Sequence, residues 1–289
     1  MKTTLCLMLL ASGLGILCLA DRHSDRWTVR EQETIEKTLT LSGSPGRLLI
    51  DNIDGFVHVT ATNGSQVHVI AHKAIRADTD SDLQQAKNDV KLDMTEKPGS
   101  VSIYYNAPWR CDGQYGGCGH QERHFYNVTY DIEVQAPRDV RPVVSTVNNG
   151  DVRVEGTTGD FEVGNVNGGI GMTGVSGSGD VHTVNGPITV HLAKNPARAT
   201  SFKSVNGAID VYFQPEFSAD LRFKTMNGQV YSDFDVTPLP VTAAAETDRH
   251  NGKFVYRSNG RQGARVGRGG PEINFDTLNG NIRLHRDAQ

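Results

Sequence analysis

The 289-residue sequence predicts an all-β chain, a β-helix-like solenoid of coils 18–21 residues long with one short flanking helix. Three observations predict it. A four-residue phrase keeps returning: "NVNG" at 165–168, "TVNG" at 183–186, "SVNG" at 204–207, "TMNG" at 225–228 and "TLNG" at 277–280. Aligned on the Gly after Asn or Asp, the copies fall at Gly55, Gly150, Gly168, Gly186, Gly207, Gly228 and Gly280, and the middle steps are 18, 18, 21 and 21 residues. The same side-chain type also recurs at the same phase. The second residue after the Gly reads Val57, Val152, Ile170, Ile188, Ile209, Val230, Ile282, and the one before the Asn or Asp is again apolar in nearly every copy. Asn-Gly between alternating runs is also a strong hairpin signal. A meander, however, has no reason to repeat residue type at fixed phase, whereas stacked coils place like on like ~4.8 Å apart.

Taken in order, residues 1–20, "MKTTLCLMLLASGLGILCLA", read as a secretory signal peptide cleaved after Ala20. The rival membrane-anchor reading is weakened by Ser12, Gly13 and Gly15, and lipid attachment at Cys18 by the bulky Leu17. Residues 21–142 form the N-terminal part of one domain. "TIEKTLTLSG" alternates as a half-buried strand, and strands broken by Asp-Gly and Asn-Gly follow through residue 74. "SDLQQAKNDVKLDM" shifts to helical period, with Leu83, Ala86 and Val90 on one face and Ser81 or Asp82 as N-cap. "SVSIYY" is a strand, and "YNVTYDIEVQAP" turns Tyr126, Val128, Tyr130, Ile132 and Val134 inward until Pro137. Residues 143–289 form the repeat solenoid. In it Asp54, Asn149, Asn167, Asn185, Asn206, Asn227 and Asn279 are expected to stack as a structural turn ladder.

The stretch from "YDIEVQAPRDV" through "VHTVNG", with "DNIDGFVHV" before it and "GGPEINFDTLNGNIRL" after, resembles the bacterial "putative adhesin" family of β-strand repeats, a domain of unknown function. The resemblance covers most of residues 35–285 and implies a β-helix-like solenoid in an exported or surface-exposed protein. The Cys-containing insertion and the long gap between Gly228 and Gly280 depart from it.

The net charge of −4 disfavours a nucleic-acid binder. Signal removal leaves Cys111 and Cys118, in an oxidising compartment, as an expected disulfide. With His120 and His124 they are also four potential metal ligands, at a spacing that matches no common zinc pattern. Trp109, Arg110, Tyr115, His120 and His124 make this insertion a candidate binding loop. The arginines of "RSNGRQGARVGRGG" read as a solvated loop. Asp160 and Asp180 follow Gly in a shorter internal beat and are the pair a β-helix polysaccharide lyase or hydrolase would use. No outward column is acidic, so a non-enzymatic binding surface without cofactor is the primary expectation. Its partner would be an envelope component, a glycan or a protein, in the periplasm or at the cell surface. An accessory role in envelope maintenance is the remaining alternative.

Overall fold

The computed structural model describes residues 27–110, 124–240, 246–250, 253–257 and 262–287. Its strands are β1 (Val29–Thr40), β2 (Arg47–Asp51), β3 (Val57–Thr62), β4 (Gln66–Ala77), β5 (Lys91–Lys97), β6 (Ser100–Asn106) and β7 (Tyr126–Pro137) in the first half. The repeat region holds β8 (Arg141–Ser145), β9 (Val152–Glu155), β10 (Phe161–Gly164), β11 (Ile170–Val175), β12 (Gly179–Asn185), β13 (Ile188–Leu192), β14 (Thr200–Asn206), β15 (Ile209–Phe213), β16 (Ala219–Asn227) and β17 (Val230–Ser232). β18 (Val236–Leu239), β19 (Glu246–His250), β20 (Lys253–Arg257), β21 (Gln262–Val266), β22 (Glu272–Asn279) and β23 (Ile282–Arg286) complete it.

Two large mixed sheets result. Sheet A runs β1-β4-β7-β3-β9-β11-β13-β15-β23-β17, and sheet B runs β18-β21-β16-β22-β14-β12-β10-β8-β2-β6-β5. Each repeat adds one strand to each sheet, in parallel and in phase: Val152, Ile170, Ile188, Ile209 and Ile282 are successive partners on sheet A. Their side chains are fully buried, as are Val163 and Val181 facing them from sheet B, beside Phe202 and Phe275. Phe202, Phe275 and Phe223 stack across sheet B with ring centroids 5.4 Å apart at each step.

The fold is all-β with two mixed sheets, and two features depart from the expected solenoid. β1, β4 and β7 pair antiparallel at one end, as do β5 with β6 and β21 with β16 and β18. Long strands can close an edge that short coils leave open. The spatial order also departs from the order of the chain. β22 pairs with both β14 and β16, and β23 with both β15 and β17, so the last repeat is inserted between the two before it.

Each letter of the TVNG phrase has a task. A Cβ on Gly207 would lie 1.8 Å from the Gly186 carbonyl oxygen, and one on Gly280 2.1 Å from that of Gly207. Close stacking of backbone on backbone therefore demands glycine here, rather than a positive φ. Thr183 Oγ1 donates to the Gly168 carbonyl at 2.9 Å, Ser204 to Gly186 at 3.0 Å, Thr277 to Gly207 at 3.1 Å and Thr225 to Gly280 at 3.2 Å. The apolar residue of the phrase faces solvent: Val184, Val205, Leu278 and Met226 are 38–75% exposed. The Asn amides bond in series, Asn227 to Asn279 to Asn206 to Asn185 to Asn167, at 2.7–2.8 Å.

One ladder position is corrected. Asn167 donates to Asn148, not to Asn149. The doubled Asn adds a residue to that turn, so Asn148 takes the bridge to Asp54 while Asn149 flips to φ 56° and donates to the Asp54 carboxylate at 2.6 Å. The helix, α1 (Asp80–Asp89), also begins earlier than expected. Thr79 is its N-cap and accepts from the Asp82 amide at 3.2 Å, and Leu83 and Ala86 are buried under it. It packs against β4 and β7. Among the described residues no helix is long and apolar enough to cross a membrane.

Candidate functional site

The described ends of the Cys-containing insertion are held by the fold. Arg110 donates to the Asp51 carboxylate at 2.6 Å and the Tyr105 carbonyl at 2.9 Å, and its guanidinium covers the Tyr104 ring at 4.3 Å. Trp109 is half-buried against the core, 4.4 Å from the His124 ring and 6.1 Å from that of Tyr126. Cys111, Tyr115, Cys118 and His120 lie outside the described residues. Of the basic run, Arg265 is bonded to Asp220 at 2.6 and 2.8 Å, which holds that carboxylate below its ordinary pKa against a smaller opposing effect of burial. Arg261 lies outside the described residues.

Asp160 and Asp180 are not stacked. β10 pairs with β12 in the register Phe161↔Gly179, so Asp180 faces Glu162 and Asp160 lies two residues away, opposite Ser178. The step of this beat is 18 residues, whereas Asp160 and Asp180 are 20 apart. Asp160 accepts from the Ser178 amide at 3.1 Å, from Arg141 at 3.4 Å and from Arg198. Burial works to raise its pKa, but these donors together hold it below the ordinary value. A carboxylate so engaged ties three repeats together and is poorly placed for proton transfer.

The outer faces of the two sheets carry different chemistry. On sheet A, His191, Tyr212 and His285 stand in a column with rings 3.8 and 4.3 Å apart, nearly parallel. His285 Nε2 lies 3.0 Å from Asp210, which also accepts from Arg283 at 3.3 Å. Their ring faces cover one another, so the column offers edges to a ligand and serves chiefly as a ladder. Between β16, β17, β18 and β21 an apolar cleft of about 520 Å³ is lined by Phe223, Phe234 and Leu239 among others.

On sheet B a trough of about 370 Å³ opens over β12, β14, β22 and β16. Two rows of side chains cross it, one per strand: Asp180, Ser201, Asn274, Arg222, and beside it His182, Lys203, Asp276, Lys224. Arg222 pairs with Glu272 and Lys224 with Asp276, both at 3.4 Å. Such exposed pairs are worth only about 0–1 kcal/mol. Beneath it lies Ser201, 9% exposed, whose hydroxyl oxygen is buried without a hydrogen-bond partner among the described residues. Sequence reasoning missed this site, although its signal was present in the polar residues flanking the Phe of "TSFKSVNG", "DLRFKTMNG" and "EINFDTLNG". Those strands belong together only after the last repeat is inserted.

No family model matches the chain, and no curated protein sequence does. Among solved structures it is similar to a "putative cell adhesion protein" from Clostridium sporogenes, at 9% identity and TM-score 0.43, covering 89% of this chain and 100% of that one. A "putative adhesin" from Bacteroides fragilis aligns at 11% identity and TM-score 0.39, over 87% of this chain and 97% of that one. A "putative lipid binding protein" from Parabacteroides distasonis aligns at 11% and 0.25, over 87% and 96%. Those names belong to those proteins, and likeness this loose leaves function to the residues of the chain itself.

Proposed function

We propose that the chain is an exported, adhesin-like β-solenoid that holds an envelope partner against the outer face of sheet B without turning it over. The trough across β12, β14, β22 and β16 carries this reading: it gathers charged and amide groups over an unpartnered buried hydroxyl. The in-phase parallel pairing and the glycine column support a solenoid whose capped N-terminal part, residues 21–142, and repeat part, 143–289, form one body. The apolar run at 5–20 supports export to the periplasm or surface, where Cys111 and Cys118 would be oxidised. The engagement of Asp160 by two arginines supports binding over hydrolysis. The test is co-sedimentation of residues 21–289 with isolated envelope fractions. Saturable binding that Asp180→Asn with Lys203→Gln weakens is expected. Equal binding by that variant would remove the trough from the function.

A further inference from the structure

We propose that the trough on sheet B binds consecutive pyranose units of a neutral polysaccharide laid across the strands, each unit offering a vicinal pair of hydroxyls. This rests on the reading that the trough is the binding face. Its walls hold three carboxylates, Asp180, Glu272 and Asp276, and three cations, Lys203, Arg222 and Lys224. The local field is balanced, so neither a polyanion nor a polycation is favoured. A hydroxyl both donates and accepts, and so suits a wall where the two kinds of group alternate. The exposed side chains of Asp180 and Lys203 make no hydrogen bond or ion pair among the described residues. Ligand hydroxyls there would pair two exposed charges that the fold leaves unpaired.

The geometry also matches a polymer. Neighbouring strands are ~4.8 Å apart, close to the advance of one pyranose in an extended glycan. The four strands span about 14 Å, and Asp180, Lys203, Asn274 and Arg222 offer one accessible side chain each. Affinity is therefore expected to rise with oligosaccharide length and level off at about four units.

The experiment uses residues 21–289 and the envelope fraction that binds them. One portion is oxidised with periodate, which cleaves vicinal diols, and another is treated with protease. Oligosaccharides released from the untreated fraction are sized and titrated by calorimetry. Binding lost with periodate and kept after protease, with a plateau near four units, is the expected result. Asp180→Asn with Lys203→Gln should weaken it about tenfold or more, while Arg153→Gln on the opposite sheet leaves it unchanged. Binding that survives periodate and fails after protease overturns the ligand class but leaves the binding face standing. Binding to no fraction, or equal binding by the trough variant, overturns the face itself.

Discussion

Replacing Phe275 by alanine should cost more than replacing Phe223, and the difference reports the order of the repeats. Phe275 is 1% exposed and lies between two rings, Phe202 and Phe223, each 5.4 Å away. Phe223 is 6% exposed and, among the described residues, has Phe275 alone as its ring neighbour in the column. A buried Phe→Ala costs about 3–5 kcal/mol, and each ring pair contributes about 0.5–1.5 kcal/mol of that order. Phe275→Ala is placed at the upper end and Phe223→Ala lower by about one ring pair, roughly 1 kcal/mol. Equilibrium urea unfolding reads both, and with a slope near 3 kcal/mol per molar the Phe275 variant shifts its midpoint by about 1.7 M. A double-mutant cycle sharpens the comparison. Phe202 and Phe275 should couple, whereas Phe202 and Phe223, separated by a whole strand, should add to within about 0.5 kcal/mol. Had the repeats stacked in chain order, Phe223 would be the middle ring. A larger loss at Phe223, or coupling between Phe202 and Phe223, would refute the inserted arrangement.

Three further outcomes are expected. Asn185→Ala removes one amide bond to Asn167 and one from Asn206, both 2.8 Å, and should lower stability by about 1–2 kcal/mol in urea, against little change for the exposed Lys194→Ala. Gly207→Ala places a Cβ 1.8 Å from the Gly186 carbonyl and must push two repeats apart, so its loss should exceed the ~1 kcal/mol of an ordinary strand substitution. Wild-type behaviour of Gly207→Ala would mean the corners are not stacked as described. Burial first, then the Arg153 charge, hold the His58 imidazole below its ordinary pKa of 6.5. The unfolded chain therefore binds a proton before the folded one does, and this contribution is complete above pH 6.5 and is lost as pH falls from there through the lowered value. His58→Gln should flatten the stability profile in that window; an unchanged slope between pH 7 and 5 would show that other groups set it.

The periodicity was legible because the physics that makes it is local to each unit. A glycine, an amide and two β-branched positions repeat at each corner, and each has its own reason to recur. The apolar columns of sheet A were readable for the same reason. What escaped was long-range. The exposure of Val184, Val205 and Leu278 cannot be told from their hydrophobicity, because a corner turns them away from an interior already filled by Ile188, Ile209 and Ile282. Asn149 was mistaken for Asn148 because one extra residue in a turn shifts the phase without changing the composition. Asp160 and Asp180 share a Gly-Asp pattern but differ by two residues from the 18-residue step. The trough was hidden most deeply. Its four strands come from residues 179–185, 200–206, 219–227 and 272–279, and no spacing in the chain announces that the last of these separates the two before it.

The inserted repeat makes two segments rivals for one berth. Residues 219–232 and 272–286 have the same phase, Phe223 matching Phe275 and Thr225 matching Thr277. Either could lie against 200–213, and the earlier one is synthesised first. The native order is reached only if the late arrival takes the berth, by displacing a tenant or by finding it vacant. The chain thus carries its own decoy, and its native order depends on residues 272–286. Refolding of the full chain should show a slow closing phase that is absent from a chain ending at Gly270, which would settle quickly into the wrong neighbour.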